Sequence, residues 1–364
     1  ASDGERVLPL LRSIAGRVIG PGHNSVVRGP DNRQLFCVYH RWSADHTRRE
    51  MAIDRLEWIG ERLDVLGPSH SPQPLPLAPT FSDRFGTPHE SGLGAGWTCD
   101  GGQWHCENGA ARQTDHAARA SARCPVSVPS FRAEVSAWVL EGGSAGAFGV
   151  MLLGDGGEAL RVGVQPGANR LAVRWRSEGR THSEHLPIPE PFDASAPHLL
   201  RLDVDGGRAQ VALDGDWIDW SGAIPRGRYQ LALFTEEMPA AFGHVSLTEG
   251  WEERWEGDQP VAERGWVTRG AGAAWKIESQ QLHYTPVERS ASLHRGPALG
   301  EYELVINVRV AGDGPDGPAF ALRPALDDAG AGPSLVVERA GDTWRLAWQD
   351  ERGAQRFSLP DDFA

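Results

Sequence analysis

The chain comprises 364 residues, 40% hydrophobic and 23% charged, a length and balance that suit two or three cored domains. Its 36 basic residues, Lys276 the single lysine among them, stand against 49 acidic ones for a formal charge of −13. That balance, without a basic run, excludes nucleic acid and anionic lipid as partners, and no apolar run approaches the ~18–20 residues of a membrane-spanning helix.

Glycine (44) and proline (26) punctuate short apolar runs throughout, which predicts an all-β chain rich in turns. Arg17–Ile19 precedes a turn signal at Gly20-Pro21-Gly22. Ser25–Arg28 and Leu35–His40 read as short strands separated by Gly29-Pro30-Asp31-Asn32. Met51–Trp58 alternates, with Met51, Ile53, Arg55 and Glu57 on one face and Ala52, Asp54, Leu56 and Trp58 on the other. Its flanking β runs favour strand over helix. Residues 67–79 carry Pro68, Pro72, Pro74, Pro76 and Pro79 and read as an extended linker, which bounds a first domain at residues 1–66.

Two similar segments follow. Phe81-Ser82-Asp83-Arg84-Phe85 matches Trp251-Glu252-Glu253-Arg254-Trp255 at an offset of 170. At an offset of 171, Trp104-His105-Cys106-Glu107 matches Trp275-Lys276-Ile277-Glu278, Ala120-Ser121 matches Ala291-Ser292, and Phe131 matches Tyr302. The offset returns at Ile188-Pro189 against Leu359-Pro360 and at Phe192 against Phe363. Such persistence is the mark of a tandem duplication, so residues 80–250 and 251–364 are expected to form two β-sandwiches.

Phe131, Ala133, Val135, Ala137 and Val139 alternate with Arg132, Glu134, Ser136 and Trp138, which predicts one buried and one wet face. Tyr302, Leu304, Ile306, Val308 and Val310 repeat the pattern. Asp205-Gly206-Gly207 and Asp214-Gly215 are hairpin signals. The first copy continues through Leu199–Val204, Ala209–Leu213, Tyr229–Phe234 and Phe242–Leu247, whereas the second stops at Ala364. The expectation is therefore a second sandwich that is incomplete. No charged-then-apolar leader is visible from Ala1 onward, which carries no weight where a native start is expected to lie upstream.

Several residues invite functional readings. Cys37, Cys99, Cys106 and Cys124 lack zinc-site spacing; Cys99 and Cys106 flank a turn and could close a local disulfide, although isolated buried thiols are favoured. Asp203, Asp205, Asp214, Asp216 and Asp219 cluster in turn-bearing segments, where aspartate serves turn geometry; glycoside hydrolysis by an acid/base pair and calcium bound by oxygen-rich turns are the functional alternatives. Trp97 and Trp104 recur as Trp266 and Trp275 and read as core. Trp217 and Trp220 follow the Asp214-Gly215 turn and are the candidate platforms for stacking on sugar rings.

Three ordered motifs near the start carry a family resemblance: GPGHNSVV (Gly20 to Val27), VYHRW (Val38 to Trp42) and RREMAIDRLEW (Arg48 to Trp58). Over the first 66 residues or so the chain resembles the end of the catalytic domain of family-43 glycoside hydrolases, five-bladed β-propellers that act on xylose- and arabinose-containing glycans. The segments downstream resemble concanavalin- or laminin-G-like sandwiches. The fold class implied is all-β: the last part of a propeller, then two jelly-roll β-sandwich domains. By resemblance, His23 lies near the propeller axis below the sugar site and holds a water or a calcium ion. Arg49 reaches into the pocket and binds substrate hydroxyls, a role that suits a charged guanidinium fork. The resemblance implies no required cofactor, calcium being optional, and xylose- or arabinose-containing glycans as partners.

Family members invert the anomeric centre with a carboxylic acid and a carboxylate base. In the family these precede the GHxS-type motif, whereas only Asp3 and Glu5 precede His23 here. The expectation is a chain cut short at both ends: the C-terminal portion of a β-xylosidase or α-L-arabinofuranosidase type enzyme, inactive alone. The alternatives are a non-catalytic carbohydrate-binding or adhesion protein and a structural homo-oligomer built through sandwich edges.

Overall fold

The computed structural model describes residues 10–59, 62–94, 96–140, 145–215, 218–255, 257, 259–270, 275–285, 291–295, 304, 306, 308, 317–323, 332–341 and 343–358. Among them there are strands and short 3-10 turns but no α-helix. The chain divides into two compact units, residues 1–302 and 303–364.

The larger unit opens with an antiparallel sheet in sequential order: β1 (Ile19–Arg28), β2 (Leu35–Trp42), β3 (Arg49–Ile59) and β4 (Arg62–Val65). One face packs Cys37, Tyr39 and Leu56 against Leu11, Leu35, Ala52, Leu63 and Val65. Buried Asp54 accepts a hydrogen bond from the Tyr39 hydroxyl at 2.7 Å and another from the Ser69 amide at 3.0 Å, which ties the proline-rich exit to this small core. The expected turn at Gly20-Pro21-Gly22 is absent. β1 runs straight through it, with register shifts between Ile19 and Gly22 and between Gly22 and Ser25. Bulges absorb the proline, which has no amide to give the ladder, and leave His23 in the left-handed region at φ 54°.

The next strands are β5 (Phe81–Asp83), β6 (Thr98–Asp100), β7 (Trp104–Glu107), β8 (Ala110–Gln113), β9 (Ala120–Arg123), β10 (Phe131–Val139) and β11 (Ala147–Gly154). They are followed by β12 (Gly157–Gln165), β13 (Arg170–Ser177), β14 (Arg180–Pro187) and β15 (His198–Asp205). The set ends with β16 (Arg208–Leu213), β17 (Ile218–Ala223), β18 (Gln230–Glu236) and β19 (Ala240–Glu249). Sheet A runs β17-β16-β15-β10-β19-β8-β7 with β5 beside β19, and sheet B runs β14-β13-β12-β11-β18-β9-β6. All four runs named above in the first copy are strands, and both hairpin signals join antiparallel neighbours.

The sheets enclose one core that includes Phe131, Phe148, Leu160, Leu202, Tyr229 and Phe242, all essentially inaccessible. Each such side chain contributes roughly 1.5–3 kcal/mol of burial. Trp104 belongs to this core, as expected, with its indole donating to the Gly101 carbonyl. Cys37, Cys106 and Cys124 are buried free thiols and Cys99 is an exposed one; Cys99 lies in sheet B and Cys106 in sheet A.

The expected wet face of β10 is not wet. Glu134 is 5% exposed because Arg28, at the end of β1, reaches it at 2.7 Å. Beside it, Arg132 holds Asp203 through two nitrogens at 2.7 and 3.3 Å and donates to the Asn32 carbonyl at 3.2 Å. Arg33 donates in turn to the Gly250 carbonyl at 2.7 Å. The turn between β1 and β2 thus docks on the outer face of sheet A through a charged seam.

An aromatic knot marks the entry to the sandwich. Phe81 and Phe85 lie 5.6 and 5.7 Å from Trp97, whose indole donates to Asp83 at 2.9 Å. The arrangement recurs at Trp251, Trp255 and Trp266, with Trp266 donating to Glu253 at 3.2 Å. Around the second knot lie two short ladders, β20 (Val267–Arg269) with β23 (Ser292–His294), and β21 (Trp275–Glu278) with β22 (Gln281–Tyr284). The strand expected at Leu304, Ile306 and Val308 forms no ladder there, and the three side chains are 51%, 47% and 46% exposed. In the first copy β10 is flanked by β15 and β19, and no such flanking pair exists around these three among the described residues. Tyr302 and Val310, like Leu359, Pro360 and Phe363, lie outside the described residues.

The smaller unit is an antiparallel sheet of β24 (Gly317–Leu322), β25 (Ser334–Ala340), β26 (Thr343–Asp350) and β27 (Gly353–Ser358). Val336 and Ala347, which face each other in its register, are buried.

Candidate functional site

β2 and β3 pair so that Trp42 stands opposite Arg49 and His40 opposite Met51. Because side chains alternate along a strand, His40, Trp42, Arg49 and Met51 share one face of the sheet, opposite the small core. The Arg49 guanidinium lies over the Trp42 ring at 5.2 Å, and the His23 ring, aimed by the bulges of β1, lies 6.3 Å from that of His40. Gly20 completes the wall. A Cβ there would sit 3.0 Å from the Trp42 ring, and its φ of +50° also favours glycine.

The connection from Trp42 to Arg49 is held by one carboxylate. Asp45 accepts from the Ser43 hydroxyl at 2.6 Å, the Thr47 hydroxyl at 2.8 Å and the Thr47 amide at 3.2 Å. These donors hold its acidity at about 2, below the usual carboxylate value. Partial desolvation, then the charge of Arg49 and the neighbouring His23, hold His40 below the ordinary imidazole value. His40 is therefore neutral near pH 7 and can donate from one ring nitrogen and accept at the other. Arg48 and Arg41 both pair with Glu50, whereas Arg49 has no carboxylate partner among the described residues. An exposed guanidinium beside an aromatic face, flanked by two imidazoles, suits a ligand with an apolar ring face and hydroxyl edges.

The structure thus gathers His23 and Arg49 around His40 and Trp42, which sequence reasoning left unassigned. Their signal was present in VYHRW, where His40 and Trp42 are two apart and so point the same way. Among the described residues the cluster contains no carboxylate pair, the acid and base that cleavage of a glycoside needs. Nor does it suit calcium, which takes oxygen ligands, whereas the side chains gathered here, His23, His40, Trp42 and Arg49, offer none.

The remaining candidates fall elsewhere. Trp220 is corrected: it is 5% exposed, its indole donates to Glu184 at 3.1 Å, and its ring lies 4.9 Å from that of Trp175. It seals the edge of the core between β17 and β13 and offers no free face to a sugar. Trp217 and Asp216 lie outside the described residues. Asp203 is paired with Arg132, Asp205 with Arg295 and Asp214 with His198. No group of three acidic, histidine or cysteine side chains arranged to hold a metal occurs among the described residues.

No family model and no curated protein matches the chain. Among solved structures it is similar to a carbohydrate-binding module, CBM66, of Bacillus subtilis, at 19% identity and TM-score 0.36 over 42% of this chain and 96% of that one. It is similar to a xylan β-1,4-xylosidase of Bacillus halodurans at 13% identity and TM-score 0.36, over 67% of this chain and 57% of that one. A laminarinase of Rhodothermus marinus matches at 11% identity and TM-score 0.40, over 48% of this chain and 98% of that one.

Proposed function

We propose that this chain is the C-terminal portion of a family-43-like glycoside hydrolase, and that its N-terminal sheet supplies part of a site for xylose- or arabinose-containing glycans. In this reading residues 1–66 end the propeller, residues 67–79 link it to the sandwich at 80–250, and residues 251–364 belong to a second sandwich. The observation that carries it is the convergence of His23, His40, Trp42 and Arg49 on one exposed face, with the guanidinium lacking a carboxylate partner among the described residues. Arg49 would grip adjacent hydroxyls, Trp42 would take an apolar ring face, and His23 and His40 would meet the remaining oxygens. The sandwich braces this sheet through the Arg28–Glu134 pair and the hydrogen bond from Arg132 to the Asn32 carbonyl.

Binding tests the site directly. Calorimetry with arabinoxylo-oligosaccharides should show Arg49→Ala weakening affinity by about tenfold or more, as expected for ~1.5–3 kcal/mol of charge-assisted hydrogen bonding. Arg48→Ala should leave it unchanged. Equal affinity for Arg49→Ala and the parent would remove Arg49 from the site. On the full gene product, aryl β-xylosides or α-L-arabinofuranosides should be hydrolysed and Arg49→Ala should lower turnover; no release from either would leave the alternative, a non-catalytic carbohydrate-binding protein.

A further inference from the structure

The face of the N-terminal sheet that holds Trp42 and Arg49 is basic without being balanced. Along it β3 continues through Met51, Ile53, Arg55 and Glu57. Met51 and Ile53 are uncharged and exposed, by 82% and 45%. The first carboxylate met along that line is Glu57, about 26 Å from Arg49 at about 3.3 Å per residue, and it is already paired with Arg55. Glu50 alternates to the opposite face, where it meets Arg41 and Arg48. Asp45, in the connecting turn, is taken up by Ser43 and Thr47. Among the described residues Arg49, His23 and His40 therefore form a basic island without a counter-charge, in a chain whose formal charge is −13.

The hydrogen-bonding inventory of the island is equally one-sided. The Arg49 guanidinium offers donors only, the Trp42 indole a donor and no acceptor, and neutral His40 a donor and an acceptor. The contact with the Trp42 ring engages the charge of Arg49 but supplies no oxygen to its N–H groups. A sugar hydroxyl both donates and accepts, so a ligand of hydroxyls alone leaves its own O–H protons short of acceptors here. An ionised carboxylate only accepts, brings the missing counter-charge, and matches the guanidinium fork with two coplanar oxygens. A sugar ring bearing a carboxylate meets the whole inventory: its carboxylate takes Arg49 and its hydroxyls take the imidazoles.

We propose that the N-terminal site binds an acidic sugar, a hexuronic acid residue carried on the xylose- or arabinose-containing glycan, with Arg49 holding its carboxylate in place of a pair of hydroxyls. This ligand class, which rests on the glycan reading of the same residues, narrows it to glycans that carry negative charge. Trp42 supports the guanidinium from one side, and His40 and His23 meet hydroxyls of the same ring.

Calorimetry on the whole chain tests this with three probes. They are a xylotriose carrying a single methylglucuronic acid branch, the same oligosaccharide after reduction of its carboxyl to a primary alcohol, and xylotetraose. The acid should bind tighter than its reduced form by about tenfold or more. Arg49→Gln should abolish that preference. Met51→Glu should do the same by giving Arg49 a carboxylate from its own strand, since Arg55 and Glu57 already pair at that spacing in β3. Met51 is 82% exposed, so the change adds no bulk to a core, and thermal melts confirm that both variants are folded. A reduced form that binds as tightly as the acid, or a preference that survives either substitution in a folded variant, would overturn the acidic ligand and leave the glycan reading standing. Failure of all three probes to bind would bring down the glycan reading itself, and the acidic ligand with it.

Discussion

Arg132 offers the sharpest test of how the N-terminal sheet is held. Its side chain is 15% exposed and that of Asp203 21%, so the pair is largely removed from water. Truncating one member of a buried pair costs about 3–5 kcal/mol, mostly because the other charge is stranded. Here Asp203 keeps Arg201 at 3.3 Å, which offsets part of that loss. Arg33, lowered to about 10 first by burial and next by the charge of Arg132, gains when that like charge is removed. Against these gains stands the lost hydrogen bond to the Asn32 carbonyl. Arg132→Met should therefore destabilise by about 2–3 kcal/mol, read from urea unfolding followed by tryptophan fluorescence. Hydrogen exchange should localise the damage to the turn at residues 29–34. Pairing it with Asp203→Leu should recover most of the loss, because two apolar groups strand no charge. If Arg132→Met stays within about 0.5 kcal/mol of the parent with that turn equally protected, the seam does not hold the sheet in place.

Two further outcomes follow from the site and the core. Trp220→Ala should cost about 3–5 kcal/mol in unfolding free energy while leaving glycan affinity intact, since the ring fills the sandwich edge; a stable variant with weakened glycan retention would restore the platform reading. Asp45 should titrate near 2 by carbon-13 NMR, and Thr47→Ala should raise that value toward 3.8. A carboxyl depressed on folding stabilises above its unfolded value, so the ordering of the Trp42–Arg49 connection is present above pH 3.8 and is lost as pH falls through about 2. A titration unchanged by Thr47→Ala would refute that hydrogen-bond assignment.

Much of the architecture was legible because the signals were local. The strands β3 and β10, and the Asp-Gly turns of β15–β16 and β16–β17, depend on neighbouring residues alone and were read correctly, although the wet face expected of β10 was not. Trp220 was misread although its signal was also local. Ile218 and Trp220 alternate with Asp219 and Ser221, which assigns the indole to the inner face; the nearby turn drew attention to exposure instead. Gly20-Pro21-Gly22 looks like a turn in isolation, and only pairing with β2 shows it to be bulged strand. The burial of Glu134 was beyond sequence reasoning, since the covering group, Arg28, is 106 residues away. His23 and Arg49 were found through a family resemblance, and periodicity along β2 would have added His40 and Trp42.

The two aromatic knots show how a duplicated motif diverges under one geometric constraint. In each, the third residue supplies a carboxylate to an indole, and the fifth, Phe85 or Trp255, sits in the left-handed region with its amide bonded to that carboxylate. Such agreement in backbone, hydrogen bond and ring contacts supports a common origin for the two segments. The difference lies in reach. Asp83 serves Trp97 and its own turn, and at an offset of 171 from Arg295 the first copy has Cys124, a buried thiol. In the second copy the extra methylene of Glu253 lets one carboxylate meet Trp266, Arg264 at 3.1 Å and Arg295 at 2.8 Å. Arg295 lies 4.4 Å over Trp251 and also pairs with Asp205 at the end of β15, and burial lowers it to about 10. Exchanging Cys for Arg at that position adds a charge that burial penalises, and the longer carboxylate together with Asp205 is what makes it tolerable. The same change turns a knot closed on itself into one tied to the preceding sandwich.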